Sequence, residues 1–397
     1  MALMPVAEAL THILGRVQRL GAESVIIQEA AGRTLNGPLV SALTNPPFDA
    51  SSMDGYGLRA ADISKLPASL NLIGESAAGW PFAGTVGHGQ AVRIFTGAPV
   101  PDGADTVVIQ EETRADGNRV TVLEATLKGA NIRLRGQDFH DGDIVLDDGC
   151  RLSPRDIMLA AASGHGLLAV TRKPVVAILA TGDELVEPSD RPMAAQIVAS
   201  NSYGLAALIE AAGGEPRLLG IAQDTPESLA QKIAEAAGAD ILVTTGGASV
   251  GDHDLVRPAL ETAGAKLDFW KIAMRPGKPT FFGTLGAMRV LGLPGNPLSA
   301  MLGARIFLSP LIAKMLGRTD EIKTFKAVLA TPLAANGPRA HYMRATIDTT
   351  IPRVSPQPSQ DSSLIKAFSD AQCLIIIPAN APAQDAGSEV VAMIMDY

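Results

Sequence analysis

Cysteine is nearly missing from this chain: Cys150 and Cys373 are the only two among 397 residues. Two thiols build neither a disulfide framework nor a structural zinc site, and both read as inert groups in a reducing compartment. A basic face is missing as well. The formal net charge is −8, and affinity for a phosphate backbone needs clustered positive charge. Nucleic acid is therefore excluded as a partner, and any anion site has to be a local basic pocket. No uninterrupted apolar run reaches the roughly 20 residues that cross a bilayer, and residues 1–20 lack the basic-then-apolar order of a secretory signal. The expected location is the cytoplasm, with no membrane partner. The six histidines show no ligand spacing, which leaves His253 as a turn residue despite its acidic neighbours.

What is present is a soluble, globular composition, 47% hydrophobic with 4% aromatic residues, on a chain too long for one ordinary domain. Val6, Leu10, Ile13, Leu14, Val17 and Leu20 recur at helical spacing and predict an amphipathic N-terminal helix. Ser153 and Pro154 open a second helix that stops near Gly164. Between them, residues 45–141 are punctuated by glycine and proline, with extended runs at 91–95, 106–109 and 119–123, which predicts a β-rich insertion whose flanks come together. From Lys173 onward strands and helices alternate: 175–180 then 203–212, 218–222 then 226–237, 241–245 then 255–263. That alternation is the signature of a parallel sheet covered by helices. Thr225 with Pro226 and Glu227 starts a helix, and Gly213 and Gly238 stop helices. After Leu316 the helical pattern gives way to short extended runs. The fold class is multi-domain α/β plus β. The expected parts are a discontinuous helical and linker domain (1–44 and 142–172), a β-rich insertion domain (45–141), a parallel α/β sheet domain (173–322) and a small C-terminal β-barrel-like domain (323–397).

The chemistry concentrates where strands end. Residues 241–254 read ILVTTGGASVGDHD, an apolar run that stops in Gly246 and Gly247 and continues through Ser249, Gly251, Asp252 and Asp254. Glycines let successive N–H groups face one concavity, which suits an anion, and the acids suit a cation or a general base. Residues 270–279, WKIAMRPGKP, crowd Lys271, Arg275 and Lys278 around a turn, and 292–297, GLPGNP, leads into a helix. In a doubly wound sheet such turns converge in one crevice outside the carboxyl ends of the strands. ATGDEL at 180–185 puts Asp183 and Glu184 at another strand end, where carboxylates suit Mg²⁺, and Asp224 closes the next strand. In the insertion, Asp54 sits in SSMDGYG, Thr96 in FTGAP, and Arg133, Arg135 and Asp138 in NIRLRGQD. Ordinary turns, solvated acids and a solvated basic face are the plainer readings of the same residues, and at this level they stay open. Two familiar motifs fail on context. Gly164-His165-Gly166 follows a helix and leads into a strand, the reverse of a dinucleotide fingerprint, and Gly277-Lys278 is followed by Pro279 rather than the Ser or Thr of a P-loop.

TTGGASVGDHD, RPGKP and GLPGNP, together with TGDEL at 181–185 and PPFDASSMDGYGLR at 46–59, resemble the MoeA family of molybdopterin molybdenumtransferases, which includes the E domain of gephyrin. The resemblance runs in order over nearly the whole chain and fades toward the C-terminus. It implies an enzyme that takes adenylylated molybdopterin and molybdate, cleaves the phosphoanhydride, and delivers the metal to the dithiolene with release of AMP. It makes 173–322 a molybdopterin-binding domain and implies a homodimer in which the insertion of one subunit reaches the α/β domain of the other.

On that resemblance, Asp54, Thr96, Asp138, Glu184 and Asp224 are the expected catalytic residues. Asp183, Glu184, Asp224 and Asp254 are expected to organise Mg²⁺. Thr245, Gly246, Gly247, Ser249, Gly251 and Asp254 are expected on the pterin side, Arg133 in the cleft, and Lys271, Arg275 and Lys278 against the anions. Pro294, Gly295, Asn296 and Pro297 would shape the cleft, and Arg344, Ser362 and Ser363 match positions implicated in holding molybdate. Gln137 stands where relatives usually carry Glu, and Gly57 where they usually carry Ala. Transient contact with a molybdopterin adenylyltransferase and with apo-molybdoenzymes is implied too. The rivals are a molybdopterin adenylyltransferase or CinA-like nucleotide pyrophosphatase, which the α/β domain also resembles, and a gephyrin-like scaffold.

Overall fold

Ile241–Thr245 consists of apolar and β-branched side chains only, and it folds as a strand buried along its whole length, as the centre of a sheet covered on both faces requires. The computed structural model describes residues 3–247, 255–319, 322–348, 351 and 353–395. The chain divides into two compact units, one of Met1–Glu23, Gly32–Asn36 and Val170–Tyr397, the other of Ser24–Ala31 and Gly37–Ala169.

In the first unit six strands form one sheet: β1 (Val175–Thr181), β2 (Glu215–Ala222), β3 (Ile241–Thr245), β4 (Lys266–Phe269), β5 (Phe281–Leu285) and β6 (Met288–Leu293). Their order is β2-β1-β3-β6-β5-β4. The first four are mutually parallel, whereas β5 runs antiparallel to both β6 and β4. The parallel strands expected from the alternation are there, and β5 adds one antiparallel strand that makes the sheet mixed. Only Gly286 and Ala287 separate β5 from β6, with Gly286 at φ 60, and a two-residue connection closes a hairpin but never a parallel crossover.

Helices cover both faces. α1 (Ser200–Ala212) starts three residues before the expected Tyr203 and ends on Gly213 at φ 95, while α2 (Pro226–Glu235) is capped by the Thr225 side chain. α2 and α3 (Val256–Thr262) bury Leu229, Ile233, Val256 and Leu260 against Leu179, Leu242 and Val290 on one face. On the other face α1 packs with α4 (Pro297–Gly303) and its continuation to Met315. The stretch Pro297–Met315 is long and apolar enough to cross a membrane, but 78% of its most apolar window is buried inside the protein, the burial of a core helix.

The N-terminal helix, expected to reach Leu20, spans Val6–Gly15. The apolar spacing runs on through Val17, but Gly15 is a poor helix residue and Arg16 leaves helical geometry. Ala9, Ile13 and Val17 are buried with Ile272, Phe307 and Leu311, so this segment packs on the α/β layer.

The last strands close on themselves. β7 (Thr324–Leu329), β8 (Ala340–Asp348), β9 (Arg353–Pro356), β10 (Cys373–Ile377) and β11 (Glu389–Ile394) pair β8-β9-β7-β11-β10, and β10 returns to β8. Closure removes the sheet edges. Leu329, Val354, Ile375 and Val390 fill the interior with Cys373, whose thiol burial pushes up to about 11, as an inert group. One short helix, Ile365–Ser369, interrupts the run of strands expected there.

In the second unit six strands from 55–122 form a sheet around Tyr56, Leu58, Leu70, Val108 and Val120. Leu39–Val40 pairs with Ile144–Leu146, which joins the flanks of the insertion. The helix Pro154–Ala162 carries a capping box between Ser153 and Asp156.

One contact in the first unit has a testable pH dependence. Arg172 donates both guanidinium nitrogens to Asp240, at 2.7 and 2.6 Å, and the Val175 N–H donates to the same carboxylate at 2.9 Å. Burial raises the Asp240 pKa, but the Arg172 and Val175 hydrogen bonds outweigh it and leave the carboxyl below its ordinary value. A depressed carboxyl pKa adds stability that is present above the unfolded value of about 4 and fades as pH falls through the folded value. Asp240→Asn should therefore cost about 2 kcal/mol at pH 7, discounted for the exposed Arg172, with the gap to wild type closing below about pH 4. Denaturant titrations at pH 7 and pH 3.5 measure it.

Candidate functional site

The strand register fixes where the loops leave the sheet. Ala180 pairs with Thr245, Thr245 with Leu293, and Thr181 with Ala222. The turns 181–184, 223–225, 246–247 and 294–297 therefore leave one edge. They pack closely because their glycines permit it. Gly246 has φ 95, and a Cβ there would collide with the Thr181 carbonyl; a Cβ on Gly295 would sit 3.7 Å from the Gly246 Cα. The Gly246 N–H donates to Leu293 O at 3.3 Å.

A cavity of about 530 Å³ opens at this edge. Thr181, Glu184, Thr245, Gly246, Gly295, Asn296 and Pro297 line one part of it, and Leu185, Ile197, Val198 and Ile365 give it apolar walls. The first residues of α1, Ser200 to Ser202, also line it. Neither Ala199 nor Asn296 caps its helix with a side chain. The N–H groups at the start of α1 thus remain for a bound anion at the positive end of its dipole, whereas Pro297 has no N–H and that of Leu298 is taken up by the Ser362 carbonyl.

Of the acids, Glu184 is on the cavity wall. Asp183 ties the edge together, with Oδ1 accepting from the Asp224 N–H at 2.9 Å. Among the described residues no three His, Cys, Asp or Glu side chains converge as a metal set. Ser249, Gly251 and Asp254 lie outside the described residues.

Lys271, Arg275 and Lys278 occupy the connection between β4 and β5, which returns to the same sheet edge, since Phe281 pairs with Gly292. They are not on the cavity wall as described. Among the described residues none of the three has a carboxylate partner. Arg275 runs beside His341 in register with β8. Burial, together with Arg275 and Arg339, pushes His341 down to about 4, so it is neutral at pH 7 and adds no fourth cation.

The barrel contributes the loop that carries Ser362 and Ser363. The Ser362 carbonyl accepts from Leu298 N–H at 3.1 Å, and its hydroxyl accepts from Asn296 Nδ2 at 2.9 Å. Ser363 lines the cavity but gives its hydroxyl to Asp361 at 2.8 Å. Arg344, expected at the molybdate, is completely buried. Its guanidinium donates to the carbonyls of Ser359, Asp361 and Leu364 at 2.8, 2.9 and 3.1 Å, so it holds the loop from beneath.

Asp54, Thr96, Arg133 and Asp138 belong to the second unit. Asp54 Oδ1 accepts from the Thr96 N–H and hydroxyl, both at 2.8 Å. Those bonds, the backbone one foremost, hold the exposed carboxyl below its ordinary pKa with help from Arg93. Asp138 accepts from Asn45 Nδ2 at 3.1 Å, and Arg133 is exposed; no hydrogen bond joins either to Asp54. Gln137 Oε1 accepts from Leu134 N–H at 3.2 Å, a bond that a glutamate oxygen makes equally well. Sequence reasoning missed Asn201, Ile197 and Val198. The signal for Asn201 is the Ser-Asn-Ser run ahead of Tyr203, a cluster of cap-type residues where a helix begins.

Comparison with known proteins covers both units. The profile described as "MoeA N-terminal region (domain I and II)" matches residues 4–164, "Probable molybdopterin binding domain" matches 177–314, and "MoeA C-terminal region (domain IV)" matches 326–394. A Haemophilus influenzae protein named molybdopterin molybdenumtransferase is 35% identical over 93% of this chain and 92% of its own length. One of the same name from Nostoc is 42% identical over 74% of this chain and 70% of its own. A crystal structure of a molybdopterin biosynthesis MoeA protein from Pyrococcus horikoshii is 29% identical, covers 100% of both chains and superposes with a TM-score of 0.87. The chain belongs to the MoeA family of molybdopterin molybdenumtransferases.

Proposed function

We propose that the cavity at the carboxyl edge of β1, β3 and β6 holds adenylylated molybdopterin while molybdenum is inserted, with release of AMP. The chain is an enzyme of molybdenum cofactor biosynthesis, and the single observation behind placing its chemistry here is the meeting of the uncapped start of α1 with the Gly246 and Gly295 turns around one cavity. Those N–H groups take the pterin phosphate, while Lys271, Arg275 and Lys278 offset the repulsion between molybdate and the anionic substrate. Mg²⁺ needs only one or two carboxylates beside substrate phosphates and waters. Glu184, with Asp183 next to it in the chain, fits that requirement, and among the described residues no preformed cage of three such ligands stands there. When bound there it supplies Lewis-acid charge to the phosphate oxygens.

Asp54 and Thr96 complete the site from a second copy of the chain, giving a homodimer that works in the cytoplasm and meets an adenylyltransferase and apo-molybdoenzymes transiently. The division into domains 1–44 with 142–172, 45–141, 173–322 and 323–397 is part of this proposal, with the helix Val6–Gly15 packed on the α/β layer. An adenylyltransferase or a CinA-like enzyme leaves the N- and C-terminal regions without a use.

Incubating the purified protein with adenylylated molybdopterin, Mg²⁺ and molybdate tests the reading: AMP release and reconstitution of an apo-molybdoenzyme support it, and neither appearing overturns it. Lys278→Gln should weaken molybdate binding in the presence of the pterin by about 1–3 kcal/mol, the range for a charge-assisted hydrogen bond. Its ligand-free melt should match wild type. Calorimetric titration showing equal affinity would return the cluster to a solvated face.

A further inference from the structure

Asn201 is the second residue of α1 and lines the cavity. Its Nδ2 donates to Thr245 Oγ1 at 3.0 Å and to Gly295 O at 2.6 Å. A carboxamide nitrogen carries two hydrogens, so both bonds form at once. The acceptors lie on different loops, one at the end of β3 just ahead of Gly246, the other between Pro294 and Asn296. Those two turns touch, because a Cβ on Gly295 would sit 3.7 Å from the Gly246 Cα. Thr245 is buried, where an unpaired hydroxyl is costly.

We infer that Asn201 is a positioning residue for molybdenum transfer, a clamp that fixes the Gly246 and Gly295 turns relative to the start of α1 and so sets the spacing of the cavity walls. Asn296 extends the clamp outward through Nδ2 to Ser362 Oγ at 2.9 Å, tying the barrel loop to the same turn. The inference rests on the functional reading above. A clamp of this kind differs from a fold-stabilising contact in what its loss does. The turns stay folded, held by the β3–β6 pairing, but the ligand meets walls that are free to move, and a displacement of about 1 Å at a reacting centre is enough to lower rate about 100-fold.

Asn201→Asp keeps the shape but removes both donor hydrogens, and Asn201→Ala removes the side chain. Both should raise KM for adenylylated molybdopterin at least tenfold and lower kcat, with a ligand-free melting temperature lowered by no more than a few degrees, the cost of unpairing the Thr245 hydroxyl. Tyr203→Phe is the control two positions further along α1. It removes a bond to Glu187 at 2.8 Å and should leave both constants at wild-type values. Equal KM and kcat in wild type and both Asn201 variants would overturn the inference, as would a loss of activity accounted for by a lower folded fraction. Wild type that fails to release AMP in the same assay would sink the functional reading instead.

Discussion

Glu184→Gln and, separately, Asp54→Ala lower molybdate-dependent AMP release by about 10² or more, the scale for loss of a positioned charged group, while neither unfolds the protein. Glu184 lines the cavity and makes no ion pair among the described residues, so the change removes charge from the site and little from the core. Asp54 is exposed, and the two hydrogen bonds to its carboxylate both come from Thr96. Truncation frees one local turn. Circular dichroism and melting beside the AMP assay separate chemistry from folding, and near-normal turnover in both variants would make them ordinary solvated acids.

Gly246→Ala should be more damaging than its one added methyl suggests. The residue has φ 95, and the new Cβ would collide with the Thr181 carbonyl at the end of β1. Backbone strain and overpacking each cost about 1–3 kcal/mol, so a loss of about 2–6 kcal/mol is expected. The displaced turn also forms the cavity wall, so activity should fall at least tenfold in the fraction that remains folded. Gly238→Ala isolates the strain: it has φ 80 with nothing within 4 Å, and should cost about 1 kcal/mol with full activity retained. Denaturant midpoints of the two variants measure the difference, and equal midpoints would show that the contact with Thr181 is slack.

What was legible in the sequence follows from how local each cause is. Ile241–Thr245 and the Thr225-Pro226 helix start could be read because burial on both faces and capping act within a few residues. The convergence of TGDEL, TTGG and GLPGNP was legible through the parallel alternation alone, since strand ends of one direction share an edge. Asn201 was not, because its acceptors lie 44 and 94 residues away, and nothing near it in the chain announces them. The burial of Arg344 was hidden for the same reason, its partners being carbonyls that exist as a set only once the 359–364 loop is folded. The overlong N-terminal helix arose because apolar spacing continues past Gly15 after the backbone has left helical geometry. The hairpin between β5 and β6 was legible in principle, from the two residues separating the runs.

Asp54 and Glu184 lie in different units of the chain, and in the proposed homodimer each site draws them from different copies. Co-expression of Asp54→Ala with Glu184→Gln, each inactive alone, tests that directly. If each site takes Asp54 from one subunit and Glu184 from its partner, half of randomly assorted dimers are mixed and each mixed dimer carries one intact site. AMP release should then recover to about one quarter of wild type, and a tagged, purified mixed dimer should reach about one half. A mixed dimer as inactive as its parents would contradict the shared site.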